Sequence, residues 1–496
     1  MSAPVNNTIP DLVRIGTVPS DTNINVETSI LDPVSFSQSQ CHFVLANKGI
    51  LHSNSRITLS PSNTVSGSFA AGDRAFWPVG VGVHSLISRC RLAIGGKTVS
   101  EIEDFSNWMG YDSMFIPNET NKEREQVMNG RCMNVTPTLE ERGGATETFG
   151  NASNSASNSE SVTEAQAIQL DNGKDFSYLN NADPNGFPAR TATPIPSRAV
   201  YAWQEIDNQP IMSILLADLF PFLKMHQLPL YMINEQVSIT LTFVPEQDAL
   251  SDVSTRLCTT LAADLANDVT ISQPNCQLIA DYIYYPQDMM LRYQEANAQM
   301  NFQYLDYQFT KRTVSIADFS GQLIQNLGGA GRYVNKVVVA ACNETRAKPQ
   351  NTMLGDNYSE GPTVTALTAG QVSTNLRYND LFLYPIDVAN SARHFHNIFI
   401  TEGRVPMVGR DLYSGEGQLT GIPVEGAFED HGSTIGLRSQ FFYTAYRLNH
   451  GERVNSRGIE LYDTRTTMAG VTTLRAWLQV VRTLTLQDGK VEVGYA

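Results

Sequence analysis

The spacing most suggestive of chemistry is His394-Phe395-His396, followed by Glu402 and Gly409. The run from His394 to Thr401 reads as a β-strand, and imidazoles two residues apart on a strand point to one face. With a carboxylate nearby they form a donor set that can hold a divalent metal. Two glycine clusters come next. Gly95-Gly96-Lys97-Thr98 has the tail of a phosphate-binding loop, but the full motif needs a glycine where Arg91 stands. Cys90 to Ile94 reads as a strand, so a Gly-Gly hairpin turn accounts for these residues better. Gly328-Gly329-Ala330-Gly331 precedes a strand, whereas a dinucleotide fingerprint follows one and opens a helix. It reads as a turn. No G-x-S-x-G elbow occurs, so a hydrolase triad has no anchor.

The His394, His396 and Glu402 spacing resembles the first motif of the cupins, which are themselves jelly rolls. The match is incomplete. Glu402 lies one residue too far on, Val388 stands where the motif opens with glycine, and no second motif follows downstream. Structural histidines are the preferred reading, with a metal-dependent bicupin-type enzyme as the alternative. No catalytic, cofactor-binding or metal-binding residue is assigned, and no enzymatic activity is expected.

Bulk properties narrow the classes further. The chain has 496 residues, enough for two or three domains. Its net charge is −15 and no run of lysine and arginine occurs, so the basic face that nucleic-acid binding requires is missing. Charged residues make up 17%, below the usual quarter, which suits a protein whose surfaces are covered by neighbours. The six cysteines (Cys41, Cys90, Cys132, Cys258, Cys276 and Cys342) are widely spaced with no C-x-x-C pair. Reduced, buried thiols made in a reducing compartment are expected, and a zinc site is not. The N-terminal residues lack a basic region followed by an apolar one, so no secretory signal is expected. No apolar stretch reaches the length of a spanning helix.

The elements that must position these residues are mostly strands. Val237, Ile239, Leu241 and Phe243 alternate with Ser238, Thr240 and Thr242, the period-two pattern of a half-buried strand. Leu474, Ala476, Leu478 and Val480 repeat it. Lys336 to Cys342 is continuously apolar and reads as a strand buried on both faces. Further strands are expected at 41–46, 56–59, 85–94, 278–285, 304–309, 394–401 and 440–448. Helices are few. Asp104 is placed to cap one carrying Phe105, Trp108, Met109 and Asp112. Asp218 is placed to cap a turn through Phe220 and Phe222. Asp288 is placed to cap a connector whose stripe is Met289, Tyr293, Ala296 and Met300. Many strands with rare helices point to sandwiches or barrels.

One segment differs in kind. From Gly143 to Thr163, 17 of 21 residues are Gly, Ala, Ser, Thr or Asn. Such a stretch buries too little apolar surface to offset its ordering entropy. It reads as an exposed, flexible tip within an insertion spanning about 116–198. Residues 1–28 carry three prolines and few apolar clusters, and read as an arm along the inner surface of an assembly or against a neighbour.

Three ordered stretches carry a family resemblance. From Trp203 to Phe243, a short helix leads to Leu228-Pro229-Leu230 and then to the alternating strand 237–243. From Cys276 to Gln294, a strand runs into a connecting helix; Pro286, Asp288 and Arg292 stand where an acidic, arginine-containing turn is usual. At the C-terminus a strand, a glycine turn at Gly489 and an apolar-aromatic ending at Tyr495 close the chain. Together these resemble the major capsid proteins of the double jelly-roll lineage: large DNA viruses, virophages and polinton-like viruses.

The resemblance implies an all-β chain of two tandem eight-stranded jelly-roll sandwiches, with a few short helices and long loops. It divides as an arm (1–28), a first jelly roll (29–286, holding the insertion), a connecting helix (287–301) and a second jelly roll (302–496). It implies a structural virion component: a homotrimer of pseudo-hexagonal outline that tiles an icosahedral shell alongside minor capsid and penton proteins. It leaves an internal membrane open. A minor vertex or spike protein and a carbohydrate-binding sandwich are the remaining alternatives.

Overall fold

The computed structural model describes residues 24–65, 82–112, 212–243, 267–314, 322–343, 372–389, 391–403, 443–448, 452–465 and 472–496. Short pieces are added at 75–76, 115, 128–129 and 258–259. The arm up to residue 23, nearly all of the 116–198 insertion, and Gly409 lie outside the described residues.

The first half of the chain supplies β1 (Asn25–Leu31), β2 (Ser35–Ser37), β3 (Gln40–Leu45), β4 (Ile50–Leu51), β5 (Arg56–Val65) and β6 (Ala75–Phe76). It continues with β7 (Ile87–Ile94), β8 (Lys97–Glu103), helix α1 (Phe105–Asp112), β9 (Met212–Leu215), α2 (Leu216–Leu219) and α3 (Pro221–Met225). Then come β10 (Val237–Phe243), β11 (Cys258–Thr259) and β12 (Asn267–Tyr284). Two five-stranded sheets result: β1-β12-β5-β9, with β4 added on β12, and β2-β3-β10-β7-β8. In β10 the period-two pattern is realised in full, since Val237, Ile239, Leu241 and Phe243 are buried and the serine and threonines between them are not.

Helix α4 (Gln287–Ala296) leads into the second half: β13 (Gln299–Val314), β14 (Gln322–Gly328), β15 (Val334–Asn343), β16 (Val372–Tyr378) and β17 (Leu381–Phe382). Helix α5 (Ser391–Glu402), β18 (Tyr443–Arg447), β19 (Ile459–Arg465), β20 (Thr472–Gln487) and β21 (Lys490–Tyr495) complete it. One sheet has the order β13-β20-β15-β18, with β21 added on β20; the other has β14-β19-β16-β17. Against the eight strands expected of each jelly roll, the described sheets hold five and five, then five and four, some strands being only two residues long. All the pairings among the described residues are antiparallel, the longest joining β13 and β20 from Gln299↔Gln487 to Val314↔Thr472.

Two apolar cores fill the sandwiches, and β15 explains why its sequence is apolar on both sides. Val337 and Val339 belong to the core between the second pair of sheets. Val338 and Ala340 belong to the larger core that continues into the first half. One face packs inside its own sandwich and the other faces the neighbouring one.

Four local expectations fail. Residues 394–401 are not a strand but the body of α5, where buried His394, Asn397 and Ile398 follow the helical spacing i, i+3, i+4. Asp218 does not cap a helix; it sits inside α2, whose N-cap is Leu215. Asp288 likewise lies in the first turn of α4, whose N-cap is Pro286. A carboxylate there still faces the positive end of the helix dipole. Met300 falls in β13, so the stripe imagined along 289–300 ends with the helix at Ala296.

Candidate functional site

The residues singled out for chemistry do not converge. His394 is buried, with its Nδ1 3.4 Å from the Thr444 hydroxyl, while His396 is exposed. Two residues on a helix are about 200° apart, so they cannot share a face as they would on a strand. Glu402 is engaged elsewhere: it accepts from Lys336 Nζ at 2.6 Å and from the Tyr111 hydroxyl at 2.5 Å. Among the described residues no group of three His, Cys, Asp or Glu could hold a metal. No described helix is long and apolar enough to cross a membrane.

The glycine clusters are turns. Ile94 pairs with Lys97, and Gly95 and Gly96 have φ of 57° and 82°, which is the two-residue hairpin with both central residues left-handed. Gly328, Gly329 and Gly331 turn β14 into β15, also with positive φ.

Where polar side chains do converge is the seam between the two sandwiches. It is made by β8 and α1 of the first against β13, β20 and β21 of the second. Arg482 on β20 is its centre. Its guanidinium donates to Asp306 Oδ2 at 2.6 Å, to the Val99 carbonyl at 3.1 Å and to the Thr98 carbonyl at 2.8 Å. Asp306 on β13 is 2% exposed, and its other oxygen accepts from the Ser100 hydroxyl at 3.1 Å and the Glu101 amide at 3.3 Å. The Tyr304 hydroxyl reaches the Val99 carbonyl at 2.5 Å, and Trp477 Nε1 donates to the Glu103 carbonyl at 3.0 Å. A second ion pair joins Arg475 to Asp104. A third joins Lys336 to Glu402 beside Tyr111 of α1.

Aromatic rings fill the space between these pairs. The Trp108 ring lies 4.1 Å from that of Tyr307 and 5.9 Å from that of Trp477, and Lys336 Nζ sits 5.8 Å over it. The β20–β21 hairpin locks the far end: Gly489 accepts from the Asn234 amide at 2.8 Å, and the Val491 amide donates to Glu235 at 2.9 Å. His226 Nε2 donates to the Gln303 carbonyl at 2.8 Å.

The electrostatics follow from burial. Removal from water pushes the Asp306 carboxyl up to about 6, although Arg482 and its hydrogen bonds pull it down. Burial works against the charge on Arg482, but Asp306 and nearby groups hold its proton more tightly than usual. Burial also pushes the hydroxyls of Tyr304 and Tyr307 up. What the arrangement does is mechanical: it fixes two sandwiches to one another through charge-assisted bonds in a dry setting.

Sequence reasoning named Asp104 as a helix cap, Trp108 on that helix and Glu402 as a metal-ligand candidate, but placed none of them in a seam and did not find the others. Asp104 does serve α1, accepting from the Asn107 side-chain amide at 2.6 Å and, through its carbonyl, from the Trp108 amide. The available signal was a charge inside an apolar strand: Asp306 in YLDYQF, and Arg475 and Arg482 in LRAWLQVVRTL.

Comparison with known proteins agrees with this architecture. Residues 37–169 match the family model described as the major capsid protein N-terminus. No curated protein matches the chain by sequence. Among solved structures, a chain of the Sputnik virophage determined by cryo-EM superposes with a TM-score of 0.50 at 11% identity, covering 97% of this chain and 90% of that one. The PBCV-1 virus capsid gives 0.48 at 10%, covering 96% and 97%. The Faustovirus major capsid protein gives 0.48 at 10%, covering 96% and 94%. At 11% identity the Sputnik likeness shows the fold alone, a double jelly roll, and the family-model match covers residues 37–169 only.

Proposed function

We propose that this chain, a major capsid protein of the double jelly-roll lineage located in the virion shell, works as a homotrimeric capsomer with a pseudo-hexagonal outline. The observation that carries this reading is the buried seam. One ion pair, Arg475–Asp104, hydrogen bonds from Arg482, Tyr304, Trp477 and Tyr111, and a cluster of aromatic rings tie two sandwiches of one chain into a single body. Three such bodies around an axis present six sandwiches, the number that fills a six-coordinated lattice point from one gene product. A ring of three needs a heterologous patch on each copy that closes on itself.

The division that goes with this is a first jelly roll over 29–286, a connecting helix over 287–301 and a second jelly roll over 302–496. Strand β1 begins at Asn25, so the N-terminal arm of 1–28 joins the first sheet through its last residues. The function is structural, not enzymatic. The partners are further copies of the chain, then minor capsid and penton proteins. The net charge of −15 supports a protein that does not hold the genome directly.

Light scattering on the purified chain, with negative-stain imaging of the same fraction, tests the reading. The expected mass is about three times 54.7 kDa, with hexagonal outlines. A monomer or dimer of compact, non-hexagonal shape overturns it.

A further inference from the structure

Cys41 and Cys276 are fully buried, and they come from opposite sheets of the first sandwich: Cys41 from β3, Cys276 from β12. Each is fixed by strand pairing, Cys41 opposite Leu241 and Cys276 opposite Leu59. Their sulfur atoms lie 3.3 Å apart. A disulfide bond is about 2.05 Å long, so the sulfurs need to approach by only about 1.3 Å. Cys90, in the same core, is engaged differently, its sulfur lying 3.1 Å from the Leu219 carbonyl.

We propose that Cys41 and Cys276 are a redox staple: reduced when the chain is made, and joined into a disulfide that clamps the two sheets of the first sandwich when it meets a low-molecular-weight disulfide such as oxidised glutathione. One cysteine thiolate attacks a glutathione sulfur, forming a mixed disulfide and releasing one reduced glutathione. The other cysteine thiolate then attacks the protein sulfur of that bond, forming the Cys41–Cys276 disulfide and releasing the second. Two thiols are oxidised, one glutathione disulfide is reduced, and two protons leave the protein.

Neither thiol is exposed, so the reaction proceeds through local opening of the sandwich, and its rate follows that opening. Burial and the neighbouring sulfur both disfavour the Cys41 thiolate in the closed state, which makes the reaction slower still. The bond would close a loop of more than 200 residues between positions 41 and 276, the range where a cross-link restricts the unfolded chain most. The inference concerns one chain and does not rest on the trimer.

The test uses the full chain purified under reducing conditions, then exposed to oxidised glutathione at several temperatures. Free thiols are blocked, and the digest is mapped by mass spectrometry. The expected result is a linked Cys41–Cys276 peptide pair and a melting temperature raised by roughly 5 °C, reversed by dithiothreitol. Cys276→Ala abolishes both. Should that variant fail to fold, the oxidised and reduced forms of the unaltered chain still make the comparison. Both cysteines recovered as free thiols, either one linked to a different cysteine, or a linked pair with an unchanged melting temperature each overturn the proposal.

Discussion

Replacing Asp306 by asparagine tests whether burial or pairing dominates at the centre of the seam. The carboxyl is held at about 6 in the folded chain against 3.8 in its ordinary state. At about 1.4 kcal/mol per pH unit, that difference corresponds to about 3 kcal/mol. The sign follows from proton binding. A raised folded pKa means the folded chain keeps this proton to higher pH than the unfolded one. The contribution to stability is therefore complete below pH 3.8, falls as pH rises through 6, and is gone above it. Asparagine is neutral throughout and its Oδ1 still accepts from Ser100 and Glu101, so Asp306→Asn does not lose this amount. Of the charged groups nearby, Arg482 lies against the carboxylate, while the Glu101 side chain is paired with Arg89. Urea midpoints at pH 4, 5, 6 and 7 for both proteins give the comparison. The variant gains on the unaltered chain by about 2 kcal/mol between pH 4 and pH 7. Had pairing with Arg482 dominated, the unaltered chain would gain on the variant as pH rises. A flat or reversed difference refutes the reasoning.

Other seam residues give sharper single values. Trp477→Ala empties a fully buried site and orphans the Glu103 carbonyl, so chemical denaturation should show a loss of about 3–5 kcal/mol. Lys336→Met strands Glu402, whose side chain is 9% exposed; the expected loss is about 3–5 kcal/mol, much of it recovered when Glu402→Gln is added. Gly96 and Gly489 both sit at positive φ, but an added Cβ meets nothing at Gly96 and collides with Asn234 at Gly489. Gly96→Ala therefore costs about 1–2 kcal/mol of backbone strain, and Gly489→Ala measurably more by thermal melting. Metal analysis of the purified chain gives sub-stoichiometric iron, manganese and zinc, unchanged in His396→Ala; a stoichiometric metal lost in that variant would revive the bicupin reading.

The strands that were legible are those whose two faces meet different surroundings within one sheet. Val237 to Phe243 is a strand with the expected bounds because alternation is an intrinsic record of one buried face. The long strands were legible only in part. In β12, Leu278, Ala280 and Tyr282 alternate into the core, but 267–275 read NDVTISQPN and carry a weaker signal. The histidine run misled for a related reason: in a short segment, apolar residues every three or four positions also fall close to alternation, and only length separates the two readings. Asp306 and Arg482 were invisible as a pair because they lie 176 residues apart, and no local pattern records a partner at that distance. The two-face burial was legible where the structure describes it, from Lys336 to Ala340, but not that its second face would meet another sandwich.

That second face explains why charge is present in the seam at all. Buried ion pairs add little net stability compared with apolar residues of the same size, and Asp306 is a case where burial outweighs its partner. Their contribution is positional. Contacts among Trp108, Tyr307 and Trp477 are broadly non-directional, so one sandwich could slip along the other at small cost. Arg482 removes that freedom, because its donors reach the Thr98 and Val99 carbonyls while its partner Asp306 accepts from Ser100 and Glu101, and a displacement of one residue along β8 leaves buried groups unpaired. A shell built from copies of a two-sandwich chain depends on a constant angle between them, since any scatter within one copy is passed to every lattice contact around it. The seam trades some stability for that constancy, and the loss is smallest where the pairs are few.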